Sequence, residues 1–131
     1  SKLEGAKHRV LQVVRMLNFP IAGPHDQSRP QLTFQFKSDE SEPVSTGHAN
    51  GCITINLREA DSVEREKARV HFGEPRRTLV GHFRHELGHY YWELLVKDNA
   101  LEAYRNLFGD ETNPTYETAK RIYYDSGPLP N

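Results

Sequence analysis

His85 and His89 are four residues apart, and Glu86 directly follows the first of them. They stand in the run Gly81-His82-Phe83-Arg84-His85-Glu86-Leu87-Gly88-His89-Tyr90-Tyr91-Trp92. On a helix, residues four apart lie one turn above each other, so both imidazoles reach one tetrahedral ion. Two imidazoles at that spacing imply Zn2+, with His85 and His89 as metal ligands. Such an ion acidifies the water it holds, and Glu86 is placed to take that water's proton as general base. The carboxylate then hands the proton to a leaving amine. The chemistry implied is zinc-dependent hydrolysis of a peptide bond. A shuffled chain of this composition gives the pattern roughly 0.03 times, so its surroundings have to carry the rest.

Those surroundings have helical order. Val80, Phe83, Leu87, Tyr90 and Leu94 fall on one side of a helix, and Thr78, His82, His85, His89, Trp92 and Glu93 on the other. A core stripe opposite a histidine stripe is what a metal site facing a cleft requires. Gly88 costs a helix about 1 kcal/mol relative to alanine, and close approach of another element beneath the site would justify it. Tolerance within a long helix is the lesser alternative. His82, one turn before His85, is either substrate-facing or an ordinary surface histidine. Glu93 either orients His89 or pairs with Lys97 four residues on. Tyr123 or Tyr124 is a candidate oxyanion donor or, more simply, a packing residue.

A catalytic zinc takes three protein ligands. A continuation with Gly at 92 and a third His at 95 is absent, because those positions hold Trp92 and Leu95. Carboxylates on later segments remain: Glu102, Glu111 and Glu117, with Glu117 on the last helix preferred among them.

These residues need elements to hold them. Leu3, Ala6, Val10, Val13, Val14 and Leu17 recur at helical spacing, and Asn18-Phe19-Pro20 ends that helix. Residues 21–30 read as loop. Leu32, Phe34 and Phe36 alternate with polar residues as a half-buried strand. Residues 38–50 read as an exposed connection in which His48 is a turn histidine. A second strand from Cys52 to Leu57 follows Asn50-Gly51, and the two strands are expected to pair antiparallel. Cys52 to Asn56 is expected to hold an extended peptide substrate as an added strand. Ala60 to His71 reads as a charged helix capped by Asp61 or Ser62. The metal helix is expected over about 75–97, with shorter helices near 100–108 and 115–124, Gly109 closing the first. Residues 127–131 have no periodicity.

The chain has 131 residues, one domain's worth, with 36% hydrophobic residues and a mean hydropathy of -0.76. So polar a balance suits a piece of something larger. Seventeen basic and 18 acidic residues are intermixed, for a net charge of -1. No basic stripe exists for a phosphate backbone, so nucleic acid is not an expected partner. Arg76-Arg77, flanked by Glu74, reads as a solvated pair. One cysteine, Cys52, excludes an internal disulfide and a cysteine-built zinc site. It also suits a reducing compartment. No apolar run approaches membrane-span length and no signal peptide is evident, so the expected location is cytoplasmic.

The runs Thr46-Gly47-His48, Gly51-Cys52-Ile53-Thr54-Ile55-Asn56-Leu57, Glu59-Ala60-Asp61, Arg77 to Trp92 and Phe108-Gly109-Asp110 together resemble a bacterial family of zinc-binding metallopeptidases. The likeness covers most of residues 1–128. Family members are typically longer at both ends. They carry an N-terminal cysteine-rich, zinc-ribbon-like segment, and after a Gly-Pro matching Gly127-Pro128 they continue into a helix with an acidic motif. The resemblance implies that this later helix supplies the third ligand, against the choice of Glu117. It also implies that the chain is one metallopeptidase core domain, 1–131, cut short at the C-terminus, with a weak or empty zinc site and lost activity as consequences. The expected fold is α+β and zincin-like, with a small antiparallel sheet on several helices and a long active-site helix. The expected partner is a peptide or protein substrate. One rival is a relative of the repressor-cleaving metallopeptidases of mobile elements, disfavoured by the charged helix between strand and motif. The other is a non-catalytic zinc-binding or protein-interaction domain with a relict site, for which Glu86 would have no use.

Overall fold

The structure, a computed structural model, describes residues 1–23, 25, 29–39 and 45–126. The expectation for 127–131 and parts of those for 21–30 and 38–50 lie outside them. Five helices accompany a three-stranded sheet among these residues, an α+β fold. Helix α1, Lys2–Met16, starts where the Ser1 hydroxyl accepts from the Glu4 amide and buries Leu3, Ala6, Val10 and Val14. Four residues of the expected stripe are thus buried, whereas Val13 and Leu17 stand exposed.

Strands β1 (Thr33–Lys37), β2 (Gly47–Ala49) and β3 (Cys52–Asn56) lie in the order β1-β3-β2. β3 pairs antiparallel with β2 and parallel with β1, so the sheet is mixed, and the expected antiparallel pairing of β1 with β3 is corrected. The cause is a strand hidden in the polar connection. One reversal between β1 and β3 would set them antiparallel, but β2 adds a second reversal and restores the direction. Asn50 and Gly51 both have positive φ, 50° and 85°, which a two-residue hairpin turn between right-twisted strands requires. A Cβ on Gly51 would sit 2.4 Å from the Gln31 carbonyl oxygen. His48 therefore belongs to a strand and not to a turn.

β3 is the central strand, with partners on both sides. The expectation that Cys52–Asn56 receives a peptide substrate along its edge is overturned, because those backbone groups are already paired. β3 also stops at Asn56, earlier than expected. The Asn56 side chain accepts the Arg58 amide and starts a 3-10 turn, Leu57–Ala60, that leaves Leu57 largely exposed.

Register places Phe34 beside Ile53 and Phe36 beside Ile55, with His48 opposite Ile53 on β2. Ile53 and Ile55 are fully buried, and Phe34 and Phe36 close on the ring of Phe83 at 5.9 and 6.2 Å. One face of the sheet thus packs on α3, Leu79–Tyr91, which α1 supports from the side. Helix α2, Ser62–Phe72, is capped by Asp61 and ended by Gly73 at φ 67°. It buries none of its side chains. The long helix expected over 75–97 divides: α3 gives way to a π-helical turn, Trp92–Lys97. Helices α4, Leu101–Phe108, and α5, Tyr116–Ser126, follow, with Gly109 closing α4 as expected. No helix of the described residues is long and apolar enough to cross a membrane.

Candidate metal centre

α3 begins at Thr78, whose hydroxyl accepts from the Gly81 amide. The residue before that cap is anchored firmly. Arg77 reaches Glu59 through Nη2 at 2.8 Å and Nε at 3.3 Å, and both Glu74 oxygens through Nη1 at 3.1 Å. Its side chain is 14% exposed, so the solvated pair expected at Arg76-Arg77 is corrected for Arg77. Glu59 is 3% exposed and also meets His82, whose Nε2 lies 2.9 Å from its Oε2 in a charge contact short of good hydrogen-bond alignment. Burial alone pushes the Glu59 carboxyl up. His82 and Arg77 outweigh that and hold its pKa at about 2. His82, read as substrate-facing or as surface, is thus tied down by a carboxylate from the 3-10 turn after β3.

One turn further, His85 and His89 turn their rings together, with Nε2 atoms 3.2 Å apart and ring centroids 4.9 Å apart. Two nitrogens at zinc-bond length from a tetrahedral ion stand roughly 3.3–3.4 Å apart. The pair therefore fits such an ion almost without rearrangement. Burial, then the charges of His82 and Lys120, lower the His85 pKa and favour the neutral ring that a metal needs.

Glu86 lies between these histidines and the core. It is 6% exposed, with Oε1 4.0 Å from His85 Nε2 and no hydrogen-bond partner among the described residues. Burial raises its pKa against the opposing pull of His89 and His82. A buried carboxylate without a cation beside it costs stability, which argues for a use beyond packing.

The neighbours depart from several expectations. A Cβ on Gly88 meets nothing within 4 Å, so no element approaches there and its glycine is simply tolerated. Glu93 makes no ion pair with Lys97 among the described residues. It acts instead on His48, where burial lowers the pKa, Glu93 raises it and His89 lowers it again. The His48 ring lies 6.1 Å from that of Tyr90 on α3, and its Nε2 accepts from the Gly51 amide. Tyr124 turns to Glu74, with Oη 3.4 Å from Oε1, and to the ring of Phe72. The tyrosine that does reach the pair is Tyr116, edge-to-face with His89 at 5.7 Å. Only a fold-level contact brings it there. Glu111 is engaged by Arg105 at 2.6 and 2.8 Å. Among the described residues, no three His, Cys, Asp or Glu side chains gather as a metal-binding group, so Glu102, Glu111 and Glu117 do not join the pair.

Comparison with known proteins places the chain among relatives by sequence. The chain is 42% identical over 130 residues to the Mycobacterium tuberculosis proteins Uncharacterized protein Rv2568c and Uncharacterized protein MT2644, and to Uncharacterized protein Mb2598c of Mycobacterium bovis. The match takes in 98% of this chain and 38% of each relative's length. No solved structure matches. Residues 1–131 match the family described as "Putative zinc-binding metallo-peptidase", and the chain belongs to that family.

Proposed function

We propose that this chain carries the catalytic core of a zinc-dependent peptidase, with His85 and His89 holding the metal and Glu86 as the general base. The observation that carries the reading is the 3.2 Å Nε2–Nε2 separation directly above a buried carboxylate. A zinc ion held there would acidify a water and polarise a carbonyl. Glu86 accepts the proton released as that water attacks, and its raised pKa suits it to return the proton to the departing nitrogen. A purely structural zinc site has no use for such a group.

The substrate is an extended peptide. β2, not β3, is a sheet edge, and it packs against α3, the helix that carries the histidines. Its outer edge is the place for an added strand. A groove of about 700 Å3 continues past it, lined in part by Asn50, Tyr90, Glu93, Leu94 and Lys97, and would receive a substrate side chain.

Calorimetric zinc titration of the chain beside its His85→Ala/His89→Ala variant tests the metal site. Saturable binding in the parent, absent from the variant, is expected. Identical titrations of the two proteins would overturn the reading.

A further inference from the structure

We infer that Tyr116, at the start of α5, is a catalytic residue whose phenol donates a hydrogen bond to the substrate's carbonyl oxygen as that oxygen gains negative charge. This rests on the peptidase reading and names a further participant in the same site.

α5 is tied across the cleft at both ends. At its first turn, Tyr116 sets its ring edge-to-face on His89, centroids 5.7 Å apart at 80°. Two turns on, Tyr124 meets Glu74 and packs against Phe72. Glu74 in turn holds Arg77, the residue before the cap of α3, so α5 is registered against the helix that carries the histidines. Residues 116, 120 and 124 share one helix face. Through Tyr116 on His89 and Tyr124 on Glu74, this face is turned towards α3 and the segment that leads into it.

The Tyr116 hydroxyl has no hydrogen-bond partner among the described residues, and the residue is half exposed. A phenol held by its ring beside one metal ligand, with its O–H uncommitted, has the makings of an oxyanion donor. As water adds to the carbonyl carbon, Glu86 takes the water's proton and the carbonyl π pair moves onto oxygen. Tyr116 donates to that oxygen. When the C–N bond breaks, the pair returns to re-form the carbonyl and Glu86 protonates the departing nitrogen.

Tyr116→Phe keeps the ring and removes only the donor. Three readouts on wild type and variant decide the matter: calorimetric zinc affinity, affinity of the zinc-loaded protein for two inhibitors, and peptide hydrolysis. One inhibitor is a peptide phosphinate, which presents a tetrahedral oxyanion. The other is a mercapto-peptide, which ligates through sulfur alone. The expected result is unchanged zinc and mercapto-peptide affinity, phosphinate binding weakened about tenfold or more, and kcat lowered roughly 10²-fold at constant KM. Equal phosphinate affinity in the two proteins would overturn the inference. So would a parallel loss of zinc and of both inhibitors, which would show that Tyr116 only packs His89. Zinc bound equally well by the wild type and by a His85→Ala/His89→Ala variant would sink the peptidase reading itself.

Discussion

Arg77 Nη2 stands 2.8 Å from Glu59 Oε1, the two side chains 14% and 4% exposed. This pair joins the 3-10 turn after the central strand to the threshold of the metal helix. Removing Arg77 leaves the buried Glu59 carboxylate with His82 alone beside it, which costs up to about 3–5 kcal/mol. Arg77→Met should therefore destabilise far more than Arg76→Met, as chemical denaturation of the two variants will measure.

The same pair fixes a pH dependence. The folded-state pKa of Glu59 is about 2, below its ordinary value of 4.5. A lowered carboxyl pKa stabilises the fold above the ordinary value, and that stability is lost as pH falls towards about 2. Denaturation midpoints should fall across this window, and Glu59→Gln should flatten the decline. An unchanged slope in the variant would assign the acid sensitivity to other carboxylates.

Glu86→Gln should leave zinc affinity nearly unaltered and lower kcat by roughly 10²–10⁴-fold, the usual range for a lost general base. Hydrolysis of a quenched fluorescent peptide by variant and parent at equal zinc loading makes the comparison. Turnover surviving in the variant would remove Glu86 from the role.

Two glycines in this chain predict opposite outcomes. Gly88→Ala adds a methyl to a helix interior where nothing stands within 4 Å, and should stabilise by about 0.5–1 kcal/mol. Gly51→Ala puts a Cβ at positive φ and 2.4 Å from Gln31 O, and should destabilise by more than that gain. Melting temperatures shifted in the same direction by both would contradict the local geometry described.

Phe83 is fully buried and meets both Phe34 and Phe36. Phe83→Ala should cost about 3–5 kcal/mol, with loss of zinc binding following from unfolding and not from the site. Urea titration with and without zinc separates these effects.

How far the sequence reaches depends on the range of the interaction. The His85, Glu86 and His89 constellation is local, set by one helical turn, and the residues alone state it. The same holds for the stripe of α1 and the alternation of β1. β2 escapes because Gly47-His48-Ala49 has no apolar alternation, although Asn50-Gly51 carried the hairpin signal. Missing that strand inverted the direction of β1 against β3. Arg77 and Glu59 are 18 residues apart, and Tyr116 and His89 are 27 apart, so no periodicity links them. Their burial and contact exist only once the chain has closed.

The strand order carries a kinetic consequence. β2 and β3 meet across two residues, whereas β1 must wait for the chain from Ser38 to Gly51 to fold back before it can join β3. Short closures are fast and parallel pairings across long ones slow. The cleft edge beside His48 therefore assembles early, and the β1 ledge that holds Phe34 and Phe36 against the metal helix arrives late. In stopped-flow refolding, substitutions in the hairpin should act mainly on the folding rate and those in β1 mainly on the unfolding rate.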